Sequence, residues 1–106
     1  MSEIILSICI PTYNREVYLQ LCLDSICSQM PLFWDKIELI VSDNCSEDST
    51  EALVKDYQKK YPKIRYNRNE SNVGVDRNLE WCFKNAAGKY FWIIGDDDLV
   101  LDDKLK

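Results

Sequence analysis

The sequence predicts an α/β fold built on a parallel sheet of about four strands with helices on its faces. Short apolar runs rich in β-branched or aromatic residues alternate along the chain with amphipathic helical patterns. Such alternation is typical of parallel strands joined by right-handed helical crossovers. A length of 106 residues fits one domain or part of one. The predicted architecture is therefore a three-layer α/β/α, Rossmann-like sheet.

Four short runs predict the strands, and three of them are largely apolar. Ile4–Ile10 is nearly all apolar, which indicates a strand buried on both faces. The second strand is Ile37–Asp43 and the third is the short run Lys63–Asn67. Tyr90–Gly95 is predicted to be the fourth strand and, being apolar throughout, to be buried.

Helical periodicity separates these runs at three places. Apolar residues recur at helical spacing from Val17 to Met30. A second helix should begin at Asp48, with Glu51 completing a capping box. The third should run from about Val75 to Ala87, with Leu79, Cys82, Phe83 and Ala86 on one face and Gly88 as its C-cap.

Composition excludes several classes of function. A net charge of -5 argues against a nucleic-acid partner, because such proteins grip phosphates with excess positive charge. The five cysteines form no CxxC pair and histidine is absent, so a zinc site is not expected. The odd cysteine count favours reduced, mostly buried thiols in a cytoplasmic protein. Neither a signal peptide nor a membrane-spanning apolar run is visible.

Polar residues collect where each predicted strand ends. The carboxyl ends of parallel strands share one edge of the sheet, and ligands of open α/β sheets bind beyond that edge. Four polar segments should therefore meet there: Pro11–Arg15, Ser42–Thr50, Asn67–Gly74 and Gly95–Asp98.

The chemistry of this edge points to a metal-assisted nucleotide site. Only three glycines are present, and the glycine-rich cradles GxGxxG and GxxxxGK[ST] are both absent. Carboxylates without histidine favour Mg²⁺, Mn²⁺ or Ca²⁺. Since Mg²⁺ completes its shell with substrate phosphates, an acidic edge holding a nucleotide through a divalent ion fits this composition.

Each candidate residue also has a simpler structural explanation. The triplet Asp96–Asp98 could be a solvated turn before a helix, but three acids exceed what a cap needs, so a functional role is favoured. Asp43 remains open between an Asx-type turn and a ligand. Asp48 and Asn14 are explained as helix N-caps, and Arg77 by default as a solvated charge.

Four segments in register resemble the nucleotide-binding half of family 2 glycosyltransferases. They read SICIPTYNREVYLQLCLDSI, ELIVSDNCSEDST, NVGVDRNLEWCFKNAAGKYFWIIGDDD and DKL, and they span Ile4 to Leu105. The family consists of GT-A-fold enzymes that transfer a sugar from a nucleotide diphosphate donor. The resemblance implies that residues 1–106 form a truncated nucleotide-diphospho-sugar-binding domain without its acceptor half.

The resemblance assigns nucleotide contacts to matching positions. Thr12 and Tyr13, in the PTYN segment, would line the pocket for base and ribose. Asp43, which closes the second strand, would hydrogen-bond the base. Three further positions match the family's Asn-x-Gly…Arg-Asn segment: Asn72, Gly74 and Arg77.

The aspartate triplet matches the Asp-x-Asp region of the family, which binds the ribose and the metal that bridges the phosphates. A direct reading makes Asp96 and Asp98 the ligands of Mn²⁺ or Mg²⁺, with Asp96 and Asp97 at the nucleotide. Aligned instead on the downstream DKL, the chain has Gly95 where the first aspartate often stands. Asp98 keeps its role in both alignments, and the general base is expected downstream of this chain.

Partners follow from the same resemblance. The donor is expected to be a nucleotide diphosphate sugar, the acceptor a saccharide or a lipid-linked molecule, and the location cytoplasmic, or at a membrane in the full-length protein. The aromatic pair Phe91–Trp92 near an open sheet edge predicts self-association.

Two other classes remain as alternatives. A phosphoacceptor signalling domain would need an acidic pair after the first strand, where Pro11, Thr12 and Tyr13 stand. A non-catalytic module that chelates calcium would bind metal without any coupling to a nucleotide.

Overall fold

The computed structural model describes residues 4–29 and 34–96. Within these ranges the chain alternates four strands with three helices, as the sequence predicts. The elements are β1 (Leu6–Thr12), α1 (Glu16–Cys27), β2 (Ile37–Asp43), α2 (Thr50–Lys60), β3 (Ile64–Arg68), α3 (Val75–Asn85) and β4 (Tyr90–Ile93). The strands form one parallel sheet in the order β3-β2-β1-β4. The predicted α/β class is confirmed.

The register of the sheet decides which strand ends meet. Thr12, the last residue of β1, lies opposite Asp43, the last residue of β2, and Asp43 in turn lies opposite Arg68 of β3. Because the pairing is parallel, the loops that follow these strands emerge at one edge. This is the edge at which the sequence predicts the ligand.

Two apolar clusters lie on opposite faces of the sheet. On one face, Ile8 and Ile10 of β1 pack in a cluster with α1 and α2. On the other, Cys9 and Ile40 pack with α3. Neighbouring strand residues point to opposite faces, so β1 and β2 are buried from both sides and the architecture has three layers.

Cys9 of β1 and Cys82 of α3 are joined by a disulfide across the second cluster. The prediction that all five cysteines are reduced thiols is therefore wrong for this pair. The two residues are 73 positions apart, and only the packing of α3 on the sheet brings their Cα atoms to 6.3 Å. Cys22 and Cys27 form no disulfide and are buried thiols, as predicted, whereas the Cys45 thiol is partly exposed.

Strand β4 is an edge strand, and the prediction that it is buried is wrong. It pairs with β1, and within the described residues it has no second neighbour. The exposed fractions of Tyr90 and Trp92 are 61% and 39%. An apolar run shows that a strand can be buried, but how many strands and helices cover it depends on sheet order.

The end of α3 also differs from the prediction. The helix ends at Asn85 with Ala86 as its C-cap, and Phe83, predicted to face the core, is 70% exposed. Gly88 instead passes close to β1, where an added Cβ would lie 2.6 Å from the backbone nitrogen of Ser7. Glycine is required there for close approach rather than for capping.

A buried carboxylate fastens this segment to the sheet. Glu38 in β2 accepts hydrogen bonds from the hydroxyl of Ser7 (2.6 Å), the amide of Ala87 (2.6 Å) and Nη1 of Arg65 (2.8 Å). The amide of Gly88 donates to the same Ser7 hydroxyl at 2.7 Å. The sequence analysis did not single out Glu38, which stands inside an otherwise apolar strand.

The predicted N-caps are wrong, although their side chains do bind backbone. Arg15 and Ser49, rather than Asn14 and Asp48, occupy the N-cap positions of α1 and α2. Asn14 has a positive φ of 51°, and its Oδ1 accepts from the amide of Glu47. Asp48 accepts from the amides of Thr50 and Glu16. The two loops therefore brace each other, which no single-helix capping rule could indicate.

Candidate functional site

A cleft of about 310 Å³ opens at the carboxyl edge of the sheet. Its walls come from the end of β1, the loop after β2, the start of α3 and the residues after β4. Three of the predicted site residues lie in its lining: Thr12, Tyr13 and Asp96. Thr12 and Asp96 are 84 positions apart in sequence, and the parallel sheet is what brings them together.

Asp96 forms the acidic part of the cleft. Its side chain is largely buried, and its Oδ2 accepts a 2.8 Å hydrogen bond from the hydroxyl of Thr12. Its Oδ1 lies 3.9 Å from Nη1 of Arg15, whose side chain is half exposed. The Thr12 bond fixes the orientation of the carboxylate, and Arg15 adds positive charge at the rim, as a phosphate-bearing ligand requires.

Asp43 lies beneath the loop after β2 and is fully buried. Its Oδ1 accepts from the amide and the hydroxyl of Ser46, which is the Asx-type bonding considered above. Its Oδ2 accepts from the hydroxyl of Tyr66 at 2.6 Å. Burial and this hydrogen bond raise the pKa of Tyr66 well above its usual range, so the hydroxyl remains a donor. The contact of Asp43 with a base remains a prediction.

The segment of residues 72–74 leads into α3 and contains an internal hydrogen bond. Gly74 has a φ of +91°, a region that residues with a Cβ rarely adopt. Oδ1 of Asn72 accepts from the amide of Gly74 at 2.9 Å. Asn72 and Gly74 are not in the lining of the cleft, whereas Val75, the first residue of α3, is.

Not every predicted site residue reaches the cleft. Arg77 lines a separate surface depression together with Trp81 and Lys84, so its role at a nucleotide is still a prediction. Asp97 and Asp98 lie outside the described residues.

Three polar residues of the lining had no role predicted from the sequence: Arg15, Asn44 and Asn78. Asn78 is buried in α3, where its amide bonds the hydroxyl and the carbonyl of Ser42. The signal available for Asn44 was its place directly after Asp43, within a segment rich in polar side chains. A buried polar residue on a helix, such as Asn78, breaks the apolar pattern, and that break was its only signal.

A divalent metal at this cleft would need oxygen ligands from the side chains around it. Among residues 4–29 and 34–96, no three histidine, cysteine or acidic side chains cluster as a ready-made metal cage. Mg²⁺-type ions, however, commonly take one or two protein carboxylates and fill their shell with phosphate and water. Asp96, oriented by Thr12 and open to the cleft, fits as one such ligand.

Comparison with known families decides the membership of the chain. The model of "Glycosyl transferase family 2" matches residues 7–106. The chain belongs to this family. The resemblance drawn from its four sequence segments is thereby confirmed.

Curated relatives of this family 2 chain include sugar transferases. It is 43% identical over 102 residues to the abequosyltransferase RfbV of Salmonella typhimurium, covering 95% of the chain and 30% of the relative. It is 34% identical over 101 residues to the GalNAc(5)-diNAcBac-PP-undecaprenol beta-1,3-glucosyltransferase of Campylobacter jejuni, covering 94% of the chain and 32% of the relative. The chain thus spans about a third of the length of these relatives.

Solved structures agree with the fold. S. aureus TarS 1-349 in complex with UDP-GlcNAc superimposes with a TM-score of 0.87 at 28% identity, covering 96% of this chain and 29% of that TarS 1-349 chain. The mannosyltransferase PcManGT from Pyrobaculum calidifontis, in complex with GDP-Man and Mn²⁺, gives 0.81 at 26% identity, covering 89% and 28%. The chain has the GT-A arrangement of these glycosyltransferases.

A search of the described helices for membrane spans found none that is both long and apolar enough to cross a bilayer.

Proposed function

We propose that this chain binds a nucleotide diphosphate sugar in the cleft at the carboxyl edge of the sheet. In the longer protein, the bound sugar is transferred to an acceptor hydroxyl. The observation that carries the proposal is the Thr12–Asp96 pair, which sets an oriented carboxylate in a cleft of a family 2 chain. The similar structures of TarS and PcManGT, solved in complex with UDP-GlcNAc and GDP-Man, support a nucleotide diphosphate sugar as the ligand.

The parts of the donor are divided among the predicted residues. Thr12 and Tyr13 contact base and ribose, with Asp43 beneath them at the base. Asn72, Gly74 and Arg77 complete the nucleotide side. Asp96 holds the ribose or the metal, Asp97 the nucleotide and Asp98 the metal. Tyr13 supports this division because it is both exposed and part of the cleft lining.

A divalent ion, Mn²⁺ or Mg²⁺, completes the proposed site. When bound, it neutralises the negative charge that grows on the leaving diphosphate. PcManGT was solved in complex with GDP-Man and Mn²⁺, and Asp96 is a described carboxylate that fits such an ion here. The residues of the chain hold and orient the donor, which supplies the positional part of catalysis.

The acceptor side is proposed to lie outside this chain. The acceptor is a saccharide or a lipid-linked molecule, and the general base that takes its proton belongs to a downstream segment. The chain alone is therefore expected to bind donor weakly and to transfer little or no sugar. A cytoplasmic location, or membrane association of the full-length protein, remains a prediction, and so does the lack of a nucleic-acid partner.

Titration with nucleotides tests the proposal. Labelled UDP, GDP, CDP and TDP are titrated into the chain with and without Mn²⁺, and binding is followed by fluorescence anisotropy. We expect at least one nucleotide to bind, and to bind more tightly when Mn²⁺ is present. Absent or metal-independent binding of all four contradicts the proposal. Calcium binding that is indifferent to nucleotide would instead support the chelating module.

We also propose that β4 mediates self-association. Trp92 and Ile93 are 39% and 44% exposed on a strand with a free edge among the described residues, and such edges pair with other strands. Sedimentation velocity should show a species heavier than the monomer that grows with concentration. Ile93→Lys should shift the chain to monomer, and Ala52→Lys on the exposed face of α2 should not. A clean wild-type monomer at high concentration contradicts the proposal.

A further inference from the structure

The loop between β3 and α3 is held by one buried side chain, Asn44. Oδ1 of Asn44 accepts from the amide of Val73 at 3.0 Å and from Nδ2 of Asn69 at 3.1 Å. Its Nδ2 donates to Oδ1 of Asn72 at 2.8 Å and to the carbonyl of Gly74 at 3.3 Å. Asn44 is 5% exposed, and it reaches this loop across about 30 positions of sequence.

These four bonds use the whole hydrogen-bonding capacity of the amide. An asparagine side chain offers one oxygen with two lone pairs and two N–H donors. All four are engaged within the chain, so although Asn44 lines the cleft, it has no hydrogen bond left for a ligand. Any effect of Asn44 on a ligand therefore acts through the loop.

Further hydrogen bonds reach this loop: the amide of Gly74 donates to Oδ1 of Asn72 within it, and the Cys45 thiol donates to the carbonyl of Glu70 at 3.6 Å. Residues 70–74 are all exposed, so apolar burial contributes little to their order. Gly74 also adopts a positive φ, a conformation that glycine visits but does not prefer over others. The bonds from Asn44 are thus the main contacts that select one loop conformation among many.

The conformation of the loop decides where α3 begins. The carbonyl of Gly74 accepts from the amide of Asn78 in the first turn of α3 at 3.2 Å. Val75 and Asn78 of that turn form one wall of the cleft. A shift of Gly74 would therefore move this wall relative to Asp96 on the other side.

We propose that Asn44 is a positioning residue for donor binding. It fixes residues 72–74 so that the first turn of α3 faces the nucleotide, and it makes no contact with the ligand's polar atoms itself. The inference rests on the proposed function, because it assigns the cleft to a nucleotide diphosphate sugar.

A matched pair of variants tests this role. Asn44→Ala removes all four bonds to the loop and its neighbour. Asn67→Ala removes an amide of the same cluster, bonded to Ser42 and Asn69 but not to residues 72–74. We expect Asn44→Ala to weaken the binding of UDP or GDP with Mn²⁺ about tenfold, and Asn67→Ala to change it less than about twofold. Asn44→Asp, which keeps the size and both acceptor bonds, serves if the alanine variant does not fold.

Hydrogen exchange provides a readout that general destabilisation would not reproduce. In Asn44→Ala the amides of Val73 and Gly74 should exchange faster, while those of β1 and β2 remain protected. Equal losses of affinity in both variants, or wild-type affinity in Asn44→Ala, would overturn the inference. If the wild-type chain binds none of the nucleotides, the proposed function is overturned instead. In that case hydrogen exchange still tests the role of Asn44: if the amides of Val73 and Gly74 exchange no faster in Asn44→Ala than in the wild type, Asn44 does not hold the loop.

Discussion

Replacing Glu38 by alanine is expected to lower the free energy of unfolding by about 3 kcal/mol. The carboxylate is 6% exposed and accepts from Ser7, Arg65 and Ala87. Its removal leaves a buried hydroxyl and a backbone amide without their acceptor. The side chain of Arg65 is 43% exposed, so its guanidinium can be solvated by water once the carboxylate is gone. The expected loss is therefore at the lower end of what breaking a buried ion pair costs.

Urea denaturation at neutral pH measures this loss. Glu51→Ala is the matched control, since Glu51 is exposed and its ion pair with Lys55 spans 3.9 Å on the surface of α2. The control should change the free energy of unfolding by less than about 0.5 kcal/mol. A Glu38 variant as stable as the control would show that water replaces the lost acceptor.

The Glu38 carboxylate should also make the free energy of unfolding depend on pH in the acidic range. Burial raises the pKa of Glu38, but hydrogen bonds from Ser7, Ala87 and Arg65 and the charge of Arg65 outweigh it and hold the pKa below its usual value of 4.5. A group whose folded pKa is lowered stabilises the fold above its unfolded pKa. This contribution is therefore complete well above pH 4.5 and is lost as the pH falls from there towards the folded pKa. Glu38→Gln should flatten that part of the curve.

Replacing Asp96 by asparagine is expected to weaken nucleotide binding in the presence of Mn²⁺ about 100-fold. Asparagine keeps the size of the side chain, and its oxygen can still accept from the hydroxyl of Thr12. The fold should therefore survive while the negative charge offered to the metal disappears. Binding without Mn²⁺ should fall much less, because the lost interaction belongs to the ion.

Asp76→Asn provides the control for this substitution. Asp76 lies exposed in the first turn of α3, so the same loss of charge occurs near the cleft but outside its lining. Anisotropy titrations at several Mn²⁺ concentrations separate the two effects, and a thermal melt checks that both variants fold. If Asp96→Asn keeps the affinity and the Mn²⁺ dependence of the wild type, Asp96 is not a metal ligand.

The strands and helices could be predicted because hydrophobic periodicity is a local property of the sequence. The bounds of β2, Ile37–Asp43, are those that its apolar run predicts. From parallel pairing alone, Thr12 and Asp96 could be placed at one edge, and they meet there at 2.8 Å. The resemblance added the family, which the match over residues 7–106 confirms.

Contacts between elements could not be predicted in this way. Nothing in the spacing of Cys9 and Cys82 indicates that α3 brings them together, and the apolar run of β4 does not say how many neighbours cover it. Arg77 was assigned from a motif; it lines another depression in the structure, and its role at a nucleotide stays a prediction. Asn44 and Asn78 were missed because polar loop and helix residues carry no period.

The sequence by itself determined the order of strands and helices along the chain, the edge at which polar groups collect and, through the resemblance of four segments, the family. The strands and helices depend on patterns within about 20 residues, which the hydrophobic effect and backbone geometry impose locally. Only the tertiary structure decided which polar groups are consumed within the chain and which face the cleft. Asp43 and Asn44 are neighbours in the same polar segment, yet one bonds its own turn and Tyr66, and the other holds a loop about 30 residues away. Hydrogen bonds over that separation depend on the order of the strands in the sheet and on how the loops pack, and neither can be predicted from local periodicity.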